Sequence, residues 1–170
     1  MGLKPLVDVI GTVFTKKGTY GDFDWQILSG KYNNALFLFN DDEARNHLKK
    51  AGKGNAIIRK YNKYAMPYRP RAVGIVTGKN GEGYTSLTHD VKRAIDKTIE
   101  EAREIITKYG YTTVYYSSDK VTDDIIGTSI FDVDMNVRLY ITREIKRLRR
   151  YIEWGSDDNQ IDFDYDLIRE

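Results

Sequence analysis

A long amphipathic segment between two short apolar runs constrains the fold of this chain more than any other feature. Residues 72–77 before it and 112–117 after it are rich in β-branched and aromatic residues, and both predict strands. Gly110 follows the segment as the predicted C′ residue of a helix. This order of elements predicts a right-handed parallel βαβ unit. The helix is predicted over 91–109 because its apolar side chains fall on one face: Val91, Ile95, Ile99, Ala102, Ile106 and Tyr109.

Two further strands are predicted before this unit. Residues 7–14 (VDVIGTVF) form the first, with a glycine inside it. Residues 35–39 (ALFLF) are apolar at every position and lie between turn-forming residues, which is typical of a central strand buried on both faces. Residues 15–31, rich in Gly, Asp and Lys, predict an irregular connection, and residues 42–50 predict a short helix or a loop.

Two further helices complete the pattern. The glycine loop 51–55 leads into a helix that Asn55 is predicted to cap and that Pro67 and Pro70 end. Its apolar residues recur at helical spacing: Ala56, Ile57, Tyr61 and Ala65. Asp134 or Asn136 is the predicted cap of a last helix, whose apolar stripe is Val137, Ile141, Ile145, Leu148 and Ile152.

Strands and helices therefore alternate along the chain. This alternation predicts a single α/β domain with a central mixed or mostly parallel sheet flanked by helices. The domain is expected to span residues 1–154. Residues 155–170 are expected to be an acidic tail or an edge strand, because apolar residues and aspartates alternate there.

Composition excludes several classes of protein. The chain has 170 residues and no cysteine, which excludes a disulfide scaffold, a zinc finger and a thiol nucleophile. No apolar run approaches the roughly 18 residues of a membrane helix, and the N-terminus lacks the apolar stretch of a signal peptide. We therefore expect a cytoplasmic protein (host cytoplasm if the source is viral) with no membrane partner.

The charge is distributed unevenly. The formal net charge is +2, yet residues 155–170 hold six acidic residues and one basic residue. The body is therefore basic and the tail acidic. A basic body favours phosphate-bearing ligands or nucleic acid, and the tail can compete with them.

Three polar loops follow the ends of predicted strands, where α/β sheets collect their ligands. The first joins Asn40, Asp41 and Asp42 to the glycine loop with Gly52, Gly54 and Asn55, and Arg59 lies one helical turn further on. Glycine allows close backbone approach, and the N-terminus of a helix offers N–H groups to an anion. The pattern is not a Walker A loop, and the alternative is an ordinary turn with a helix cap.

The second loop begins at Thr77 and Gly78, and it is either a lid over a ligand or a surface loop. The third contains hydroxyl groups suited to binding phosphate, and its alternative is a turn with a capping residue. It is not the G-x-S-x-G elbow of a hydrolase. The predicted ligand-binding residues of this third loop are Ser117, Ser118, Gly127, Thr128 and Ser129.

Candidates for proton transfer are few. Asp41 and Asp119 are the predicted catalytic residues if the protein is an enzyme. His47 and His89 have no metal-ligand spacing and are expected to be exposed, so neither a metal nor another cofactor is predicted. A basic cluster near the last helix is either a solvated face or a contact for nucleic acid; it consists of Arg143, Lys146, Arg147, Arg149 and Arg150.

The segments 40–42, 52–59, 71–78, 116–119 and 127–131 resemble a small family of uncharacterised bacteriophage proteins. More distantly, Asn40 at a strand end, the first glycine loop and the second loop at Gly127 are similar to macro domains, which bind ADP-ribose and related nucleotides. The chain lacks the glycine triplet and the Gly-x-Gly of those loops. The resemblance implies a macro-domain-like or Rossmann-like fold.

The predicted function is therefore the binding of a phosphorylated nucleotide, either ADP-ribose-like or a cyclic nucleotide. For a phage protein, this implies sequestering or cleaving a signal of host immunity. An enzyme in the same pocket would be a phosphodiesterase or an ADP-ribosyl hydrolase. The alternative function is a nucleic-acid or protein interaction module that uses the basic last helix and the acidic tail. A homo-oligomer is compatible with all of these.

Overall fold

The computed structural model describes residues 3–122, 124–128, 131–153 and 162–163. Its sheet has seven strands in the order β4-β3-β2-β5-β1-β6-β7. The four strands β3, β2, β5 and β1 are parallel to one another, and the outer strands pair antiparallel. Their bounds are β1 Leu3–Thr12, β2 Ala35–Asp42, β3 Ala72–Lys79, β4 Glu82–Gly83, β5 Thr113–Ser117, β6 Arg150–Glu153 and β7 Asp162–Phe163.

Helices cover both faces of this sheet. Helix α1 (Phe23–Leu28) and a 3₁₀ helix (Gly54–Tyr61) pack on one face. Helices α2 (His89–Tyr109) and α3 (Met135–Lys146) pack on the other. The prediction of one α/β domain with a mostly parallel sheet flanked by helices is confirmed.

Strand β2 shows why the core has two halves. Leu36 and Leu38 point to the face of α2 and α3, whereas Phe37 and Phe39 point to the face of α1 and the 3₁₀ helix. All four side chains are fully buried, with exposed fractions of 1% or less. The uninterrupted apolar run in the sequence is thus explained by a central strand with a helix layer on each side.

The ends of the two long helices follow simple capping chemistry. The Thr88 side chain accepts a hydrogen bond from the Val91 N–H at the start of α2. Gly110 ends α2 in the left-handed conformation, with φ of 69°. Asp134 caps α3 by accepting from the Asn136 N–H. Helix 91–109, its terminal glycine and the Asp134 cap are therefore confirmed.

Several elements differ from their predictions. The last helix ends at Lys146, and β6 pairs antiparallel with β1 where the apolar stripe predicted a helix to Ile152. The predicted irregular stretch 15–31 contains α1, which Asp22 caps through the Trp25 N–H. The helix after the glycine loop is a 3₁₀ helix, and Asn55 does not cap it. Lys53 occupies the cap position without a side-chain bond, and Asn55 bonds elsewhere.

The predicted tail 155–170 lies outside the described residues except for Asp162–Phe163. These two residues form β7 at the edge of the sheet, opposite Tyr151 and Ile152 of β6. Within the described ranges, no helix is both long enough and apolar enough to cross a membrane.

Replacing Gly110 by alanine tests the left-handed end of α2. An added Cβ would meet no atom within 4 Å, so the cost comes from the backbone conformation alone. We expect Gly110→Ala to lower the free energy of unfolding by about 1–2 kcal/mol in urea denaturation. The exposed helical substitution Lys97→Ala is the control, and equal stability of the two variants would contradict this account.

Candidate functional site

The order of the strands creates a crevice at one end of the sheet. The connection after β2 carries the 3₁₀ helix to one face, and the connection after β5 carries α3 to the opposite face. Because β2 and β5 are neighbours, their loops diverge at the carboxyl ends of these two strands. Such a topological switch point is where open α/β sheets hold their ligands.

A cleft of about 710 Å³ lies at this end of the sheet. Its walls come from the end of β2, the glycine loop 51–55, the β3–β4 hairpin and the segment before α3. Most of the predicted site residues lie together here. Those that line the cleft are Asn40, Asp41, Gly52, Gly54, Asn55, Arg59, Thr77, Gly78 and Thr128.

Two further predicted residues do not line the cleft but accept from or donate to residues that do. The Asn40 amide donates to the Gly127 carbonyl at 2.5 Å, and Ser117 donates through Oγ to Asn55 Oδ1 at 3.0 Å. Ser118 is buried beside them and does not line the cleft. Ser129 lies outside the described residues. Ser117 and Gly127 thus contribute by fixing the two asparagines across the switch point.

A buried ion pair joins β2 to the 3₁₀ helix beneath the cleft. Arg59 donates to Asp41 through Nε at 3.2 Å and through Nη2 at 2.5 Å. The Asp41 side chain is 0% exposed and that of Arg59 is 6% exposed. Asn46 Nδ2 also donates to Asp41 at 3.2 Å, and a Cβ at Gly74 would lie only 2.6 Å from Asp41 Oδ2. The carboxylate of Asp41 is therefore enclosed, and both of its oxygens accept hydrogen bonds from within the protein.

Asp42 fastens the β3–β4 hairpin to the end of β2. Its carboxylate accepts from the N–H groups of Asn80 at 3.0 Å, Gly81 at 2.6 Å and Ala44 at 2.8 Å. Burial acts to raise the pKa of Asp42, but these backbone hydrogen bonds outweigh burial and lower it below the ordinary 3.8. The hairpin wall of the cleft therefore depends on an ionised Asp42.

Asp119 lies apart from the cleft lining. Its carboxylate accepts from the Val121 N–H at 2.6 Å and from Arg138 Nη2 at 2.6 Å. These two hydrogen bonds lower the pKa of Asp119, in that order of size. Asp119 thus orders the loop that leads to α3, and the structure does not bring it together with Asp41.

Several residues of the cleft were not predicted from the sequence. Arg45, Lys50 and Lys53 are exposed along its edge, and within the part of the chain that the structure describes they form no ion pair. Phe131, 43% exposed, lines the cleft from the segment before α3. These four residues could have been predicted from their positions, because each lies in or next to a loop that was predicted to bind a ligand.

The basic cluster near α3 is largely engaged within the chain. Lys146 pairs with Asp124 at 2.6 Å, Arg147 pairs with Glu144 at 3.4 Å, and Arg149 donates to a backbone carbonyl of β1. His47 and His89 are exposed. Among the described residues there is no group of acidic or histidine side chains that could hold a metal ion.

No family model, curated protein or solved structure matches this chain significantly.

Removing the charge of Asp41 would leave Arg59 buried without its partner. We expect Asp41→Asn to lower the free energy of unfolding by about 3–5 kcal/mol in urea denaturation. The paired replacement Asp41→Leu with Arg59→Met should recover most of that loss, because it removes both charges from the interior. Wild-type stability of Asp41→Asn would show that the pair is not structural.

Removing the Asp42 carboxylate should weaken the hairpin wall in a pH-dependent manner. At pH 7 we expect Asp42→Ala to cost about 1–3 kcal/mol of unfolding free energy, because three N–H groups lose a charged acceptor. The pKa of Asp42 is lowered by folding, so its contribution is complete above the ordinary value and disappears as the pH falls through the folded value. The difference between the proteins should therefore shrink between pH 5 and pH 2.

Urea denaturation across that pH range measures this difference. Asp132→Ala, which removes an exposed carboxylate without a hydrogen-bond partner among the described residues, is the control and should change little at any pH. A difference between wild type and Asp42→Ala that grows on acidification would contradict the assignment.

Proposed function

We propose that this protein binds a phosphorylated nucleotide, ADP-ribose-like or cyclic, in the cleft at the β2–β5 switch point. One observation carries the proposal: two asparagines, a glycine loop and a second loop with a hydroxyl group, predicted from distant parts of the chain, border one cavity. Its volume of about 710 Å³ falls within the range of small-molecule sites, about 300–1,000 Å³.

The chemistry of the cleft supports a ligand with a charged part and an aromatic part. Arg45, Lys50 and Lys53 supply exposed positive charge along the edge for phosphate groups. Phe131 supplies an exposed ring on which a nucleobase can stack. Asn40 and Thr128 supply polar groups between the apolar and charged parts of the lining.

Binding is favoured over catalysis by the state of the two candidate acids. The Asp41 carboxylate is enclosed by hydrogen-bond donors, and Asp119 is held by Arg138 outside the cleft lining. A phosphodiesterase or an ADP-ribosyl hydrolase would need an acid or base that reaches the ligand; neither predicted acid does, and the exposed carboxylate of the lining is that of Glu82. For a phage protein, which the resemblance implies, binding without catalysis favours sequestration of a host signal over its cleavage.

Calorimetric titration with a panel of ADP-ribose and cyclic nucleotides tests the proposal. The double variant Lys50→Gln and Lys53→Gln should bind the tightest ligand of the panel about ten-fold more weakly, or about 1.4 kcal/mol. Added salt should weaken wild-type binding, because exposed charges are screened. Lys31→Gln, an exposed lysine just before β2 at the opposite end of the sheet, is the matched control.

Two outcomes would count against the proposal. If no member of the panel binds at millimolar concentration, nucleotide binding in this cleft is excluded. If a nucleotide binds and Lys31→Gln weakens it as much as the double variant does, the ligand lies elsewhere on the protein.

A further inference from the structure

One edge of the Arg59 guanidinium is left unused by its ion pair. Asp41 takes Nε and Nη2, and within the described chain Nη1 has no hydrogen-bond partner. Nη1 is not among the buried polar atoms sealed from solvent, although the side chain is only 6% exposed. Arg59 also lines the cleft. A buried cation therefore presents one free donor group at the base of the cleft.

Gly52 leaves the space in which this free edge lies. A Cβ at position 52 would lie 2.7 Å from Arg59 Nη1 and 3.2 Å from its Cζ. Gly52 has no positive φ, so its backbone conformation does not require glycine. The space does require it, because the Cβ would also lie 2.8 Å from Ala56 Cβ and real Cβ atoms essentially never come within 3.0 Å of another heavy atom.

Unused backbone donors belong to residues that follow Gly52 and line the same cleft. The N–H groups of Lys53, Gly54 and Asn55, at the start of the 3₁₀ helix, donate to no acceptor within the described residues. The first N–H groups of a helix have no partner inside the helix and favour an anion. Unlike a bare helix end, this one lies next to a guanidinium that is nine-tenths buried and lines the same cleft.

We infer that the free edge of Arg59, with the N–H groups at the start of the 3₁₀ helix, is the receptor for one phosphate group of the ligand. Asp41 is its positioning residue: by taking two donors on one side, it directs the third toward Gly52 and the cleft. Guanidinium groups suit this task because their planar donors match phosphate oxygens. The inference rests on the proposed function, and it assigns the phosphate end of the ligand to this side of the cleft.

Inorganic pyrophosphate and ADP-ribose are the two probes for this receptor. In ¹⁵N-labelled wild-type protein, pyrophosphate should shift the side-chain N–H signal of Arg59, and calorimetry should detect its binding. Gly52→Ala and Arg59→Lys should each weaken pyrophosphate binding at least ten-fold, the first by displacing the guanidinium and the second by removing its fork. Lys31→Gln should bind as wild type does. Circular dichroism shows whether each variant is folded, and the wild-type Arg59 signal decides the question even if a variant is not.

The outcomes separate the receptor from the proposed function. If ADP-ribose binds wild type, Gly52→Ala and Arg59→Lys equally, or binds wild type without moving the Arg59 signal, the receptor is wrong and nucleotide binding stands. If pyrophosphate binds with the expected losses while no nucleotide binds, the receptor stands and the proposed function is wrong. If neither probe binds wild type, both are overturned.

Discussion

Burial of β2 on both faces is the constraint on which the rest of the structure depends. A strand with helix layers on each side can expose its backbone and polar side chains only at its ends. In this chain the apolar run gives way to Asn40, Asp41 and Asp42 at the carboxyl end of the strand. Each of the three is committed to a different neighbour: Gly127 before α3, Arg59 in the 3₁₀ helix, and the β3–β4 turn. One strand end thus organises three walls of the cleft.

Local sequence patterns predicted the parts of this architecture that depend on local physics. The apolar stripe and the terminal glycine of α2 were sufficient to predict that helix, and the apolar run of β2 was sufficient to predict that strand. Periodicity and capping act within a few residues, so both are visible in the sequence. Strand β6 was predicted as helix because Ile152 continues the helical spacing. Its actual conformation comes from pairing with β1, which lies at the other end of the chain. Helix α1 has six residues, too few for a periodic signal.

The same division applies to the candidate site. The rule that ligands bind at strand ends predicted that these loops lie together at one end of the sheet. In the structure, the loops border one cleft. The individual roles could not be predicted in this way. Asp41 was interpreted as a catalytic acid, whereas its carboxylate is enclosed by Arg59 and Asn46. That enclosure depends on contacts across 18 residues and on the close approach of Gly74, neither of which is visible as a local pattern.

The two glycines beside the ion pair have a consequence for how this protein can change during evolution. Gly52 leaves room for Arg59, and Gly74 leaves room for Asp41 and Asn46. A side chain at either position is incompatible with the pair as it stands, and a Cβ there would also lie 2.8 Å from Ala56 Cβ at position 52 or from Asp41 Cβ at position 74. We therefore expect homologues that keep the acid at 41 and the arginine at 59 to keep glycine at 52 and 74 as well, so that the buried pair constrains two positions that carry no charge.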